Sequence, residues 1–290
     1  MEIRALRAFV EVVRQGGFSR AAEAVFATQS TVSKAVKQLE EELGFQLLER
    51  AGHRSRLTEA GEVVFRRATA ILAQGDDLKS ELEEMRGLRG GTLRLGLPML
   101  GSNTLFAHWF AAYRSRYPDV TLQLVEHGSK RLEELVLAGD VDLAASLLPV
   151  GKEFEWQELR REPIDALLPV DHPLAQSDSI PFKALADLPF ILYGEGFALN
   201  PIILAACREN GFTPKVATQS IQVDFIIELV AAKLGIALVP RLIAEQRPHP
   251  LTRRIPVDQP AIFWHMALVW RRGSYLSHAA QAWLALASEV

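Results

Sequence analysis

The chain has 290 residues, which predicts about two domains, and its 49% apolar and 23% charged content is that of ordinary globular proteins. No run of about 18 apolar residues occurs, which excludes a predicted membrane span, and the first 15 residues lack a signal-peptide core. The single cysteine, Cys207, excludes an intrachain disulfide and favours a reducing cytoplasm. The net charge of −3 hides an asymmetry, since residues 1–58 hold nine basic and seven acidic residues against 23 and 28 in the remainder.

The apolar spacing of the first segment predicts three helices, at 3–15, 19–25 and 28–43. Ser19 and Thr28 are the expected N-caps of the second and third helices, and Gly44 is the expected stop. Phe26 and Ala27 form the turn between them. A short helix, a tight turn and a longer helix are the parts of a helix-turn-helix.

The third helix has an apolar face and a polar face. Val32, Val36 and Leu39 repeat at helical spacing and should face the core. The polar residues can pair with base edges or phosphates, whereas Glu40 to Glu42 lie at the far end. The residues expected to contact DNA from this helix are Gln29, Ser30, Thr31, Ser33, Lys34 and Lys37.

Residues 47–58 predict a β-hairpin wing with Gly52 in its turn. Arg54 and Arg56 should reach a phosphate or the minor groove. The alternative is that each polar residue belongs to an ordinary solvated surface. For any single residue that alternative is an adequate explanation. The succession of helix, turn, helix and basic wing, taken together, favours DNA binding.

Several motifs match a known pattern in register over some forty residues. They are Ala21-Ala22, Gln29-Ser30-x-x-Ser33, Leu39-Glu40, Leu43-Gly44, Leu48-x-Arg50 and Leu57-Thr58-x-Ala60-Gly61. The segment resembles the winged helix-turn-helix of the LysR-type transcriptional regulators. Leu48 departs from the family, which often has Phe there, and Ser30 stands where Pro is frequent.

Thr58 is the expected N-cap of a long helix running to about residue 86. Its apolar and small residues follow a heptad pattern over about three heptads, which predicts a helix that pairs with a second one. The alternative is packing on the chain's own C-terminal domain, but the resemblance implies paired linker helices in a dimer. The heptad positions are Val64, Ala68, Ile71, Gly75, Leu78, Leu82 and Met85. Residues 86–91 are the expected joint.

From residue 92 the pattern alternates strands and helices, which predicts an α/β fold with a parallel-type sheet. Strands are expected at 92–97, 120–125, 141–147, 164–170, 190–193, 216–219 and 267–270, and helices at 106–116, 130–138, 201–209, 224–232 and 275–288.

The motifs Tyr117-Pro118-x-Val120, Gly139 to Ala144, His172-Pro173-Leu174 and Gly235 to Pro240 resemble the family's two-lobed, periplasmic-binding-protein-like effector domain. Lys233 departs from it, because Gly is common there. The resemblance covers essentially the whole chain. It implies a DNA-binding domain at 1–58, a linker and hinge at 59–90 and an effector domain at 91–290. Lobe I would span 91–162 and 268–290, and lobe II 163–267.

Ligands in open α/β sheets bind beyond the carboxyl ends of the strands, often at helix N-termini. Three turns meet that description, and in the family the Gly128-Ser129 position often touches the effector. The alternative is that the polar residues are plain N-caps. The predicted effector contacts are Pro98, Met99, Leu100, Gly101, Ser102, Gly128, Ser129, Gly194, Glu195 and Phe197. Their apolar character favours an aromatic or aliphatic acid, although Glu195 would suit a ligand with a donor or a positive charge.

No phosphate-binding loop, dinucleotide fingerprint or metal-spaced Cys/His set is found, so no cofactor, metal or enzyme activity is predicted. Cys207 lies in an apolar helix and is expected in the core rather than as a sensor. The leading hypothesis is a cytoplasmic transcription factor, dimeric or tetrameric, that binds promoter DNA under control of a small effector and acts as activator, repressor or both. The competing hypothesis is a small-molecule carrier or enzyme with an accessory DNA-binding-like module.

Overall fold

The computed structural model describes residues 1–51, 54–85, 91–258 and 262–289, without the side chains of 50, 51, 54, 55, 80, 83–85, 103 and 104. The chain forms two compact units. The first runs to residue 89 and includes two short later segments, 137–140 and 273–277, and the second contains the rest. Across the described ranges, no helix is long and apolar enough to cross a membrane.

The first unit consists of four helices and one hairpin. Its elements are α1 (Ile3–Arg14), α2 (Phe18–Ala24), α3 (Gln29–Leu43), β1 (Leu48–Ala51), β2 (Arg54–Leu57) and α4 (Glu59–Met85). The predicted order of helices and hairpin is confirmed. Ser19 is not the N-cap that the sequence predicts, because α2 begins at Phe18 after Gly17 and has no side-chain cap.

The core of the first unit lies where α1 packs against α3 and α4. Phe9 and Leu39 are fully buried there, together with Leu6, Val36 and Ala68. Each of the buried Phe, Leu and Val side chains stabilises the fold by roughly 1.5–3 kcal/mol relative to leaving it exposed. This buried face holds the outer face of α3 in place.

The long helix α4 is anchored at its first turn. The Thr58 hydroxyl accepts a hydrogen bond from the Gly61 amide at 2.9 Å and donates one to the Gln46 carbonyl at 2.7 Å, as the N-cap prediction requires. A Cβ at Gly61 would lie 2.0 Å from the Leu47 carbonyl oxygen, so this close approach requires glycine. The 27 residues of α4 span about 40 Å at 1.5 Å per residue.

The second unit is an α/β fold. Its strands are β3 (Thr92–Pro98), β4 (Thr121–His127), β5 (Leu143–Leu147), β6 (Phe154–Pro169), β7 (Pro189–Tyr193), β8 (Lys215–Ser220), β9 (Ala237–Pro240), β10 (Thr252–Ile255) and β11 (Phe263–Arg271). Its α-helices are α5 (Ser102–Leu105), α6 (Ala107–Arg116), α7 (Ser129–Leu137), α8 (Leu199–Glu209), α9 (Val223–Ala231), α10 (Arg241–Glu245) and α11 (His278–Ala287).

The main sheet is mixed rather than parallel throughout, which corrects the prediction. Its strands follow the order β10-β6-β11-β5-β3-β4, with β9 beside β6. β3 pairs in parallel with β4 and β5, whereas β11 runs antiparallel to β5 and β6. β7 and β8 form a separate parallel pair.

The strand β6 joins the two halves of this unit. Its first ten residues pair with β11, and residues 164–169 pair with β9 and β10. The sequence predicts only the second part, because charged residues break the apolar pattern of the first. Asp165, 1% exposed in the second part, accepts hydrogen bonds from Arg241 at 2.9 and 3.1 Å and from Arg254 at 2.6 Å. β9, α10 and β10 were not predicted as separate elements.

Candidate DNA-binding surface and effector pocket

The start of α3 is fixed by a local hydrogen-bond network. The Thr28 hydroxyl accepts from the Thr31 amide at 3.2 Å, which confirms the predicted N-cap. It also lies 2.9 Å from the Ser30 hydroxyl and 2.8 Å from that of Thr31. At the other end, Gly44 takes a left-handed conformation with φ of 73°, as a helix stop requires.

The two faces of α3 separate as the spacing predicts. Val32, Val36 and Leu39 are at most 2% exposed. The predicted contact residues Gln29, Ser30, Thr31, Lys34 and Lys37 are exposed, and Ser33 is half-buried. The surface at the N-terminal half of α3 therefore carries one amide, several hydroxyls and two ammonium groups, the donor and acceptor types that recognise base edges and phosphates.

Ser19 contributes to this surface, which the sequence did not predict. Its hydroxyl donates to the Gln29 side-chain oxygen at 3.3 Å. The N-terminus of α2 therefore meets the N-terminus of α3. The contact also orients the Gln29 side-chain amide, whose oxygen and nitrogen are both needed to pair with adenine.

The wing is held against α3 by Glu40. Its carboxylate accepts from the Leu47 amide at 2.8 Å and the Leu48 amide at 3.2 Å. The register of the hairpin pairs Glu49 with Arg56. Arg56 is exposed on β2, whereas Arg54 is described only by its backbone in that strand, and Gly52 lies outside the described residues. The wing thus presents at least one exposed cation, Arg56.

The heptad positions of α4 divide into two groups. Val64 and Ala68 pack in the core of their own module, and Ala68 is 1% exposed. Ile71, Leu78 and Leu82 are 42–58% exposed. Gly75 has open space around its α-carbon, and the side chain of Met85 lies outside the described residues. An apolar patch thus remains on the second half of the helix.

An apolar pocket lies in the second unit at the carboxyl ends of β3, β4 and β5. About 310 Å³ around it is free of protein atoms, but that figure includes open solvent, and the centre of a water-sized sphere has only about 20 Å³ to occupy. Its walls are Pro98, Met99, Leu100, Gly128, Ser129, Leu147, Phe197, Ala198, Leu199, Trp264 and Met266. Six of the ten predicted effector contacts are in this set.

Ser129 is the one hydroxyl in the pocket wall. It is the first residue of α7 and only 5% exposed. The first amides of a helix have no partner within the helix and carry partial positive charge. One polar point at a helix N-terminus, surrounded by apolar walls, suits a ligand with an anionic end and an apolar body.

The other four predicted contacts lie outside the pocket wall. Gly101, with φ of 88°, would place a Cβ 2.7 Å from the Trp264 ring, so it shapes the wall from behind. The Ser102 hydroxyl donates to the Pro98 carbonyl. Gly194 faces Ile221, where a Cβ would lie 2.5 Å from the side chain, and Glu195 is exposed.

Three pocket residues supplied by strands were not predicted from the sequence: Leu147, Trp264 and Met266. The last two alternate on β11 and so share one face of it. The spacing of Trp264 and Met266 by two residues is the sequence signal that could have assigned both to one face of a strand. Ala198 and Leu199, at the start of α8, were also missed.

A partly buried polar pair lies near the pocket, on α7 and β5. The Ser146 hydroxyl, fully buried on β5, donates to the Glu133 carboxylate at 2.5 Å. Glu133 follows Ser129 by one turn of α7. Burial raises the pKa of the Glu133 carboxyl above its ordinary value, and the hydrogen bond from Ser146 opposes that rise. Among the residues that the structure describes, no group of three or more His, Cys, Asp or Glu side chains could hold a metal ion.

Two family models match the chain. The bacterial regulatory helix-turn-helix protein of the lysR family matches residues 3–62, and the LysR substrate binding domain matches residues 86–290. The chain is 37% identical to the HTH-type transcriptional regulator YwbI of Bacillus subtilis, over 98% of this chain and 95% of the relative. It is 32% identical to the transcriptional dual regulator GltC of the same organism, over 90% of this chain and 88% of the relative.

Solved structures agree with these relatives. A full-length OxyR variant from Pseudomonas aeruginosa superposes with a TM-score of 0.74 at 27% identity, covering 99% of this chain and 94% of that one. Full-length BenM superposes with a TM-score of 0.62 at 25% identity, covering 100% of this chain and 96% of that one. The relatives are regulators of transcription, which supports the leading hypothesis over a carrier or enzyme. The chain belongs to the LysR family of bacterial transcriptional regulators.

Proposed function

We propose that this protein is a dimeric or tetrameric regulator whose binding to promoter DNA is controlled by a small aromatic or aliphatic carboxylic acid. The proposal assigns DNA binding to residues 1–58, subunit pairing to the helix within 59–90, and effector binding to 91–290. The relative GltC is a dual regulator, which supports both activation and repression as outcomes.

One observation carries the effector class: the buried Ser129 hydroxyl stands at the start of α7 inside an otherwise apolar pocket. A hydroxyl and helix amides hold a carboxylate by charge-assisted hydrogen bonds. The apolar walls bury the remainder of the ligand. Glu195 is exposed and outside the pocket wall, which removes the argument for a cationic ligand.

A thermal-shift screen of the full chain against small aromatic and aliphatic carboxylates tests this proposal, with the matching amides as ligand controls. The acid that raises the melting temperature is then titrated calorimetrically against Ser129→Ala. A hydrogen bond to a charged group contributes roughly 1.5–3 kcal/mol, so affinity should fall by about 10-fold or more.

Ser102→Ala is the matched control for Ser129→Ala. Ser102 also begins a helix, but its hydroxyl bonds to the chain's own Pro98 carbonyl and is outside the pocket wall. Effector affinity should be retained in this variant. Equal affinities in wild type and Ser129→Ala would remove Ser129 from the effector site.

The DNA-binding assignment has its own test. Genomic fragments are selected with the purified protein, and the operator found is used in titrations at several salt concentrations. Gln29→Ala should reduce discrimination between operator and scrambled DNA, because it removes a base contact. Arg56→Ala should weaken binding to operator and scrambled DNA alike, because it removes a phosphate contact. The slope of log affinity against log salt concentration should fall by about 1.

Lys79→Ala is the control for charge alone. Lys79 lies on α4 and pairs with Asp76 at 3.1 Å, far along the chain from the wing. The DNA affinity of Lys79→Ala should depend on salt concentration with the same slope as that of the wild type. Failure of the wild-type protein to select any genomic fragment would refute the function itself.

A further inference from the structure

A second cavity lies in the second unit, between the end of β6, the start of β7 and the turn that leads from α9 into β9. It shares no lining residue with the effector pocket. The centre of a water-sized sphere has about 270 Å³ to occupy in this cavity, against about 20 Å³ in the effector pocket. The second cavity is therefore a separate space with more room for a ligand.

Most of the cavity wall is apolar, and main-chain contacts hold its parts together. The Ile236 amide donates to the Pro189 carbonyl at 2.8 Å, and the Ile191 amide donates to the Ile236 carbonyl at 2.7 Å. A Cβ at Gly235 would lie 2.5 Å from the Pro189 carbonyl oxygen, so these two backbones touch directly. Such a wall can bury the apolar part of a small ligand. The apolar residues that line the cavity are Pro169, Pro173, Leu188, Pro189 and Ile236.

Lys233 brings a cation to this cavity in a backbone conformation that favours glycine. It follows α9, where its amide donates to the Val230 carbonyl at 2.9 Å and the Leu234 amide donates to the Leu229 carbonyl at 3.0 Å. Its φ is 63°, in the left-handed region, and glycine is common at this place in the family. Strained residues of this kind are found where the side chain serves a contact.

An anionic group and a ring N–H lie in the same wall as Lys233. The Lys233 ammonium donates to the Asp171 carboxylate, and this hydrogen bond lowers the pKa of the Asp171 carboxyl, so both groups are charged at neutral pH. The His172 Nδ1 accepts from the Leu174 amide at 3.2 Å, which leaves the proton of the neutral ring on Nε2. Because Lys233 and Asp171 are both exposed, their ion pair contributes little to stability, and a ligand can separate it at small cost.

The two opposite charges select the class of ligand. A ligand with only a negative charge would be repelled by Asp171, and one with only a positive charge would be repelled by Lys233. A zwitterion with an apolar body matches both charges and the apolar wall. We propose that this cavity binds an apolar α-amino acid, with its carboxylate on Lys233, its ammonium on Asp171 and its side chain against the prolines and Ile236. This site is additional to the effector pocket and does not depend on the proposed function.

Calorimetric titration of the full chain without DNA tests this site, with L-valine, L-leucine, L-isoleucine, L-methionine and L-phenylalanine as ligands. The amino acid that binds most tightly is then compared with two analogues, the acid without the amino group and the amine without the carboxylate. For leucine these are 4-methylpentanoate and 3-methylbutylamine. Each analogue should bind about 10-fold more weakly or worse, because it loses one charge-assisted hydrogen bond.

Two variants remove the charges of the site one at a time. Lys233→Gly and Asp171→Asn should each lower the affinity for the amino acid by about 10-fold or more. Lys233→Gly also relieves the left-handed backbone, so its melting temperature should not fall below that of the wild type and a loss of binding does not come from misfolding. Asp224→Asn is the matched control, because it breaks an ion pair with Arg247 of 2.8 Å outside the cavity wall. Its affinity for the amino acid should equal that of the wild type, as should that of Ser129→Ala.

Four results would overturn the inference. They are binding of none of the five amino acids; an analogue that binds as tightly as its amino acid; wild-type affinity in both Lys233→Gly and Asp171→Asn; and a loss of binding in Ser129→Ala, which would place the amino acid in the effector pocket. A protein that selects no genomic fragment would refute the proposed function and leave this site standing, because these titrations contain no DNA.

Discussion

Replacing Leu78 on α4 with glutamine tests whether the linker helix joins two copies of the chain. Leu78 is 58% exposed in the single chain, and Leu82 and Ile71 at neighbouring heptad positions are 46% and 42% exposed. Burying a whole leucine side chain contributes roughly 1.5–3 kcal/mol, so covering the exposed half of Leu78 contributes about 1–1.5 kcal/mol per chain. A symmetric dimer buries the residue twice. The substitution should therefore cost about 2–3 kcal/mol per dimer and raise the dissociation constant about 30- to 140-fold.

Sedimentation equilibrium over a range of protein concentrations measures that constant. Glutamine is chosen because it is a good helix former, and circular dichroism checks that helix content is kept. Val63→Gln is the matched control, since Val63 is 48% exposed on the same helix but outside the heptad positions. Equal dissociation constants for Leu78→Gln and the wild type, or an equal effect of Val63→Gln, would refute the heptad argument.

Three further predictions concern single side chains. Thr28→Ala should lower the free energy of unfolding by about 1 kcal/mol in urea titrations, because the Thr31 amide loses its cap, whereas Thr28→Ser should be near neutral. Burial raises the pKa of Glu133, so the folded state holds this proton to a higher pH than the unfolded state and stability falls as pH rises through that window. Glu133→Gln should therefore raise the melting temperature at pH 7 and lose this advantage towards pH 4; a pH-independent difference would contradict the assignment. Burial raises the pKa of the Cys207 thiol to about 11, so native protein should not react with a disulfide reagent at pH 8, while unfolded protein should take up one equivalent.

The first unit could be predicted from the sequence in detail because its signals are local. The Thr28 cap, the Gly44 stop and the spacing of Val32, Val36 and Leu39 act within a few residues of one another. Ser19 is the exception. Ser is a common N-cap, but here its hydroxyl bonds to Gln29, ten residues further on, so a tertiary contact replaced the local one.

The role of Glu40 was not predictable for a related reason. The sequence predicts that it belongs to the acidic end of α3, away from DNA. Its hydrogen bonds to the Leu47 and Leu48 amides depend on how the chain turns after Gly44. A carboxylate that looks like part of a solvated charge cluster therefore serves to fix the wing.

The pocket shows the limit of sequence patterns most clearly. The rule that ligands bind at the carboxyl ends of parallel strands located Pro98 to Leu100 and Gly128-Ser129, because those turns follow directly from the strand pattern. Trp264 and Met266 reach the same pocket because β11 is inserted between β5 and β6 by antiparallel pairing. The residues of that pairing are a hundred or more positions apart, and no local pattern specifies them.

The glycines around the pocket explain why its shape depends on backbone contacts as well as on side chains. A Cβ at Gly128 would lie 2.4 Å from the Gly196 carbonyl oxygen, so two backbones touch beside the pocket without an intervening side chain. Gly101 similarly lets the chain pass against the Trp264 ring. Because each approach leaves no room for a methyl group, the distance between these walls is set by main-chain geometry. A ligand that extends past this point would therefore meet main-chain atoms of Gly128 and Gly196, which cannot rotate aside as a side chain can.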